Sequence, residues 1–140
     1  MGATGVEAYE TTRLERWAPW IGRAVSAAPV LIILSSARWK LTSDPWYVQE
    51  WQRIGWTVDA LPRIGLLQLA CLALYLIPRT SVLGAVLLTG YLGGAIASYA
   101  RIGEFIPPLV PLTTALLAWA GIYLREANLR SVLPLRRKSR

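Results

Sequence analysis

The sequence predicts an all-α integral membrane protein: a four-helix bundle of spanning segments, with a short interfacial helix between spans one and two. Three observations carry that prediction. Hydrophobic residues make up 54% of the 140-residue chain and charged residues only 16%, against ~25% charged in a typical soluble domain. The apolar residues fall into four uncharged runs, parted by short segments that hold most of the arginine, lysine and proline. The third run lies uninterrupted between Arg79 and Arg101, and at ~1.5 Å per helical residue it matches a hydrocarbon core of ~30 Å.

In chain order, residues 1–16 are polar and of mixed charge, with Glu7, Glu10, Arg13, Glu15 and Arg16. They lack the basic-then-apolar build of a cleaved signal peptide and predict a short cytoplasmic arm. Trp17 and Trp20 then stand where an aromatic interface belt is expected. Span one, about 21–38, holds AVSAAPVLIILSSA between Arg23 and Arg38, whose long side chains can reach water from inside the span. Pro29 lies within this run, and proline in a membrane helix predicts a kink that neighbouring helices tolerate.

The next segment, KLTSDPWYVQEWQRIGWTVDALPR, is the densest in tryptophan. Asp44 suits an N-cap, Pro45 a first helical position and Gly55 a stop, predicting an interfacial helix over about 45–54. Tyr47, Trp51 and Ile54 share one side of it and Glu50 and Arg53 another, as in a helix lying in the headgroup layer. Trp39, Trp46, Trp51 and Trp56 extend the interface belt.

Span two, about 61–78, includes IGLLQLACLALYLI, with Gln68 its strongest polar group and Tyr75 near its end. A buried amide in lipid needs a partner, so Gln68 predicts an interhelical hydrogen bond or a ligand contact. The short turn at 78–81 makes spans two and three an antiparallel hairpin. Span three, about 81–100, carries Thr89, Gly90, Gly93, Gly94, Ala97 and Ser98 as a stripe of small residues, the pattern that lets two membrane helices approach closely. GYLGGA has neither the GxGxxG spacing nor a preceding strand, so it is no phosphate cradle. Span four, about 105–124, opens with Pro107, Pro108 and Pro111, which predicts an irregular start and a cavity wall. A basic tail over 125–140 completes a single domain over 1–140.

The formal net charge of +7 does not point to nucleic acid, because the basic residues lie between and beyond apolar runs; anionic lipid headgroups at the tail are the expected partners. Cys71 is the only cysteine and there is no histidine, which excludes an intrachain disulfide, a CxxC redox pair, a Cys/His zinc site and a His-ligated haem. With four spans, the face bearing the termini and the 78–81 turn holds twice as many of the 15 Lys and Arg residues as the other. The positive-inside rule then predicts both termini in the cytoplasm.

The block IGLLQLACLALYLIPRTSVLGAVLLTGYLGGAIASYARIG, with SARWKL ahead of it and WAGIYLREANLRSVLPLR after it, resembles the DoxX-like family of small bacterial four-helix membrane proteins. The resemblance spans roughly residues 30–136. It implies the bacterial inner (cytoplasmic) membrane and an association with membrane redox complexes, including quinone-reducing ones. Gln68 stands where the resemblance leads to an expected glutamate, and Tyr99 where it leads to a histidine; both departures remove a titratable group. Lys40, Arg79, the glycine stripe and Arg101 keep the expected pattern. Two functions follow as expectations. One is a non-catalytic accessory subunit packed with other membrane subunits of a larger, quinone-linked complex, and the departures favour it. The alternative is a small quinone-binding or redox membrane enzyme in which Gln68, Tyr75, Tyr99 and Arg101 hold the headgroup of a quinone or lipid.

Overall fold

The computed structural model describes residues 3–126, with side chains for Trp17 and residues 20–126. It is all-helical in those residues: α1 (Ala3–Leu41), α2 (Pro45–Arg53), α3 (Ala60–Leu76), α4 (Ser81–Ala100) and α5 (Leu109–Arg125). The expected arm is helical where it is described, since α1 begins as early as Ala3, ahead of its apolar part at Trp20–Leu41. Residues 3–16 hold Ala, Glu, Arg and Leu but no proline, and such a run of helix formers extends a helix once its apolar part is packed. Pro29 is fully buried within α1 and does not end it. The expected basic tail lies outside the described residues from 127 onward.

Two segments, Trp20–Leu41 of α1 and Ser81–Ala100 of α4, are long and apolar enough to cross a membrane. α3 and α5 are apolar helices of 17 residues each. α5 starts at Leu109, after Pro107 and Pro108, because proline cannot donate to a preceding turn and is best accommodated at a helix start. α2 begins as its residues dictate: the Asp44 side chain accepts from the Trp46 backbone N–H, and Pro45 occupies the first turn. Gly55 turns the chain out of α2 with φ of 82°, a backbone conformation that costs glycine little.

The helices pack in a ring, α1 against α3 and α5, and α4 against α3 and α5. Successive members run antiparallel, so the bundle has two distinct ends. At one end Ser26, Tyr75, Gly84 and Gly121 meet. A Cβ on Gly84 would fall 2.2 Å from the Tyr75 backbone nitrogen, and one on Gly121 would fall 2.1 Å from Ser26 Oγ. The Tyr75 hydroxyl, 1% exposed, donates to the Ala118 carbonyl oxygen at 3.0 Å and lies 3.2 Å from Ser26 Oγ. Ile33, Cys71, Leu72, Ala85, Leu88 and Ile122 form the core with Tyr75 and Ala118. Outward faces remain apolar, including Leu31, Leu66, Leu67, Leu83, Val86 and Leu116, which is expensive in water and favourable in hydrocarbon.

Candidate functional site

The other end of the bundle is open inside. Ile33, Ser36, Ala37 and Lys40 recur at helical spacing on the face of α1 turned toward α3, and Gly65 of α3 lets the chain approach Lys40 closely, its built Cβ 3.2 Å from the Lys40 Cβ. Lys40 is 6% exposed and Gln68 2% exposed. The Lys40 ammonium donates to Ser36 Oγ at 2.7 Å, to Gln68 Oε1 at 2.9 Å and to the Tyr91 hydroxyl at 2.9 Å. Tyr91 in turn donates to Gln68 Oε1 at 2.7 Å, and Gln68 Nε2 donates to the Ile33 carbonyl oxygen at 2.9 Å. Three helices are thus joined by one polar cluster, a satisfied arrangement of the kind buried polar groups require. Tyr47 and Tyr91 also place their rings 5.7 Å and 5.6 Å from the ammonium, within cation–π range.

This cluster borders a cavity of about 830 Å³, inside the ~300–1,000 Å³ range of small-molecule sites. Ile32, Ile33, Ile64 and Val110 give it apolar walls, and Trp39, Trp46, Tyr47, Trp51 and Trp56 surround its α2 side. α2 lies across that end and is tied to the far end of α4. Tyr99 donates to Glu50 Oε1 at 3.0 Å, Trp56 Nε1 donates to Ser98 Oγ at 3.2 Å, and Arg101 donates to the Ile54 carbonyl oxygen. Arg53 bridges Glu50 of α2 and Glu104 beyond α4. The Arg53 guanidinium beside it holds the Glu50 carboxyl below the usual carboxylate range, aided by Tyr99, while the two carboxylates push Arg53 further up.

Of the four expected headgroup residues, Gln68 and Tyr99 line this cavity. Tyr75 does not. It is buried at the closed end, because its hydroxyl finds partners in Ser26 and Ala118 between tightly packed helices. Arg101 also falls outside the lining, its guanidinium spent on the carbonyl that ends α2. The small-residue stripe is expected at a helix contact. A Cβ on Gly90, Gly93 or Gly94 would meet nothing within 4 Å, so these three glycines make no close helix contact among the described residues. Gly90, Gly94 and Ser98 line the cavity instead, Thr89 accepts from Trp119 Nε1 at 2.8 Å, and Ala97 is exposed. The close approaches belong to Gly22, Gly84 and Gly121, which lie outside the stripe. Trp17 and Trp20 are exposed toward the closed end of α1, and the other interface tryptophans cluster around α2.

Sequence reasoning missed Tyr91 and Ser36, and it passed over Lys40 as structural. A signal was present, since Lys40 shares a helical face with the apolar Ile33 and Ala37, where a lysine must be buried or displaced.

Among the described residues, an all-helical fold with lipid-suited outer faces and a ligand-sized cavity at one end is that of a small membrane protein. The chain belongs to the DoxX-like family, whose model matches residues 24–121, from the apolar part of α1 to the last turns of α5. No curated protein and no solved structure matches it.

Proposed function

We propose that this DoxX-like chain is a four-span protein of the bacterial inner membrane, both termini cytoplasmic, that takes a lipophilic ligand into the cavity beneath α2. The carrying observation is the juxtaposition of a buried Lys40–Gln68–Tyr91 cluster with apolar walls in one cavity. Polar side chains inside a membrane bundle are retained at a cost and usually mark a site. α3 and α5, at 17 residues each, reach the lower limit for a span, and both lie antiparallel to α4 with exposed apolar faces. A quinone or a lipid fits this site, its body against the isoleucines and its head at the polar cluster.

The chain supplies binding and positioning rather than electron transfer, since it has no histidine and one cysteine. It serves as an accessory subunit, holding the ligand within or against a larger membrane complex. The unpartnered apolar side of α4 favours that placement, with Leu83, Val86 and Leu87 exposed alongside Gly93.

The test is native mass spectrometry of the protein purified in mild detergent, followed by extraction. Wild type is expected to retain a lipophile, and Gly94→Phe, which places a ring in the cavity where a Cβ meets nothing within 4 Å, is expected to lose it. Wild type emerging empty, or equal retention by the variant, would overturn the proposal.

A further inference from the structure

We infer that the cavity ligand is an anionic amphiphile, a lipophile whose acidic head pairs with the Lys40 ammonium. This rests on the ligand-binding role proposed above and names its chemical class.

Lys40 is 6% exposed, and all three of its hydrogen-bond partners, Ser36, Gln68 and Tyr91, are neutral. Among the described residues no carboxylate comes within 4 Å of it. Two carboxylates border the same cavity, and both are engaged elsewhere. Asp44 caps α2 by accepting from the Trp46 N–H at 3.0 Å, and Glu50 is held by Arg53 and Tyr99. Neutral oxygens solvate a buried ammonium but do not neutralise it, and an uncompensated buried charge is costly.

Hydrogen-bond bookkeeping points the same way. Gln68 Nε2 has one acceptor among the described residues, the Ile33 carbonyl oxygen, so its second hydrogen is free to donate. The Ser36 hydroxyl, on the cavity lining, accepts from Lys40 and can turn its own hydrogen toward an incoming oxygen, while the Tyr91 hydrogen is spent on Gln68. Such a donor-rich end suits a head that only accepts, and ionised acceptors form the stronger bonds. A neutral carbonyl would use the donors and leave the charge unanswered.

Placement fixes the orientation. The Lys40 ammonium reaches back from the end of α1 to Ser36, Gln68 and Tyr91, whereas the apolar Ile64 and Val110 line the cavity in the first turns of α3 and α5, at the α2 end. The acidic head therefore lies at the polar cluster, and the chain lies against the apolar walls beside it.

The experiment measures isothermal titration of the full chain, purified in mild detergent and stripped of lipid, with hexadecanoate, hexadecyl phosphate, methyl hexadecanoate and decylubiquinone. Wild type is expected to bind at least one of the two acids about tenfold or more tightly than the neutral ester, a factor equivalent to ~1.4 kcal/mol. Stronger binding of hexadecanoate assigns a carboxylate head, and stronger binding of hexadecyl phosphate a phosphate. Lys40→Met removes the cation and Gln68→Glu supplies an internal carboxylate; each should bring the acid-to-ester ratio to near unity, and Lys40→Arg should keep it. Equal affinity of acid and ester in wild type overturns the inference without needing any variant, and so does a ratio that survives both Lys40→Met and Gln68→Glu. Decylubiquinone or the ester binding as tightly as the acids, with retained lipophile still lost in Gly94→Phe, overturns the charge assignment and leaves the cavity a ligand site. Failure of every probe, with no lipophile retained by wild type, overturns both.

Discussion

Gly84 of α4 rests directly on the backbone of Tyr75 in α3, so close that a built Cβ would stand 2.4 Å from the Tyr75 Cα. The α3–α4 hairpin closes on that contact, and nothing larger than hydrogen fits there. Replacing Gly84 with Val should therefore force the helices apart. Overpacking of this sort typically costs ~1–3 kcal/mol, and a backbone neighbour leaves little room to relax. Gly94→Ala, with open space around the added methyl, should change stability by less than ~0.5 kcal/mol. Thermal unfolding of both variants in the same detergent checks this, and a similar loss in the two would place the hairpin contact elsewhere.

Gln68 and Tyr75 both carry buried hydrogen bonds, but their removal should cost different amounts. Tyr75→Phe deletes one hydroxyl that bonds to neutral groups, worth ~0.6 kcal/mol on average between membrane helices. Gln68→Leu strips an acceptor from both the Lys40 ammonium and Tyr91, and a buried group left unsatisfied costs ~1–3 kcal/mol, more when charged. Denaturant unfolding should rank Gln68→Leu as clearly the less stable. The reverse order would mean that Lys40 finds its partners elsewhere.

Acid should loosen α2. The Arg53 guanidinium lowers the Glu50 carboxyl in the folded protein, with Tyr99 adding to the effect. A carboxyl depressed on folding stabilises above its unfolded pKa of ~4.3, and that contribution is lost as pH falls through the lower folded value. Hydrogen exchange at the α2 amides should therefore stay slow at pH 5 and rise only below about pH 4. Arg53→Gln should move that rise upward in pH. Unaltered exchange in the variant would show that the Glu50 contacts do not hold α2 in place.

Reporter fusions provide a test of topology. A fusion at the C-terminus should be cytoplasmic and one inserted within 42–59 should be on the opposite side, because an even number of spans separates the first from the N-terminus. Both fusions on one side would mean that α3 or α5 fails to cross.

Helix positions were legible in the sequence wherever a charge, cap or proline marks a boundary. Asp44, Pro45 and Gly55 bracket α2, and Arg79 and Arg101 flank α4. What a small residue faces was not legible. Gly84 and Gly94 belong to the same helix and the same composition, yet one meets a backbone and the other meets space, because helix register against neighbours is set by the whole bundle. Gln68 could be singled out as a lone amide in an apolar run. Its partners could not, since Lys40 and Tyr91 lie 28 and 23 residues away in sequence. Tyr75 and Arg101 looked equally suited to a ligand until their backbone partners were seen.

The tight contacts at Ser26, Tyr75, Gly84 and Gly121 have a further consequence. None of these residues borders the cavity, and their close contacts leave no room for it between them. The bundle is a cup rather than a conduit. On the ligand-binding reading proposed above, an occupant enters and leaves at the α2 end, which, with α2 in the headgroup layer, faces one leaflet.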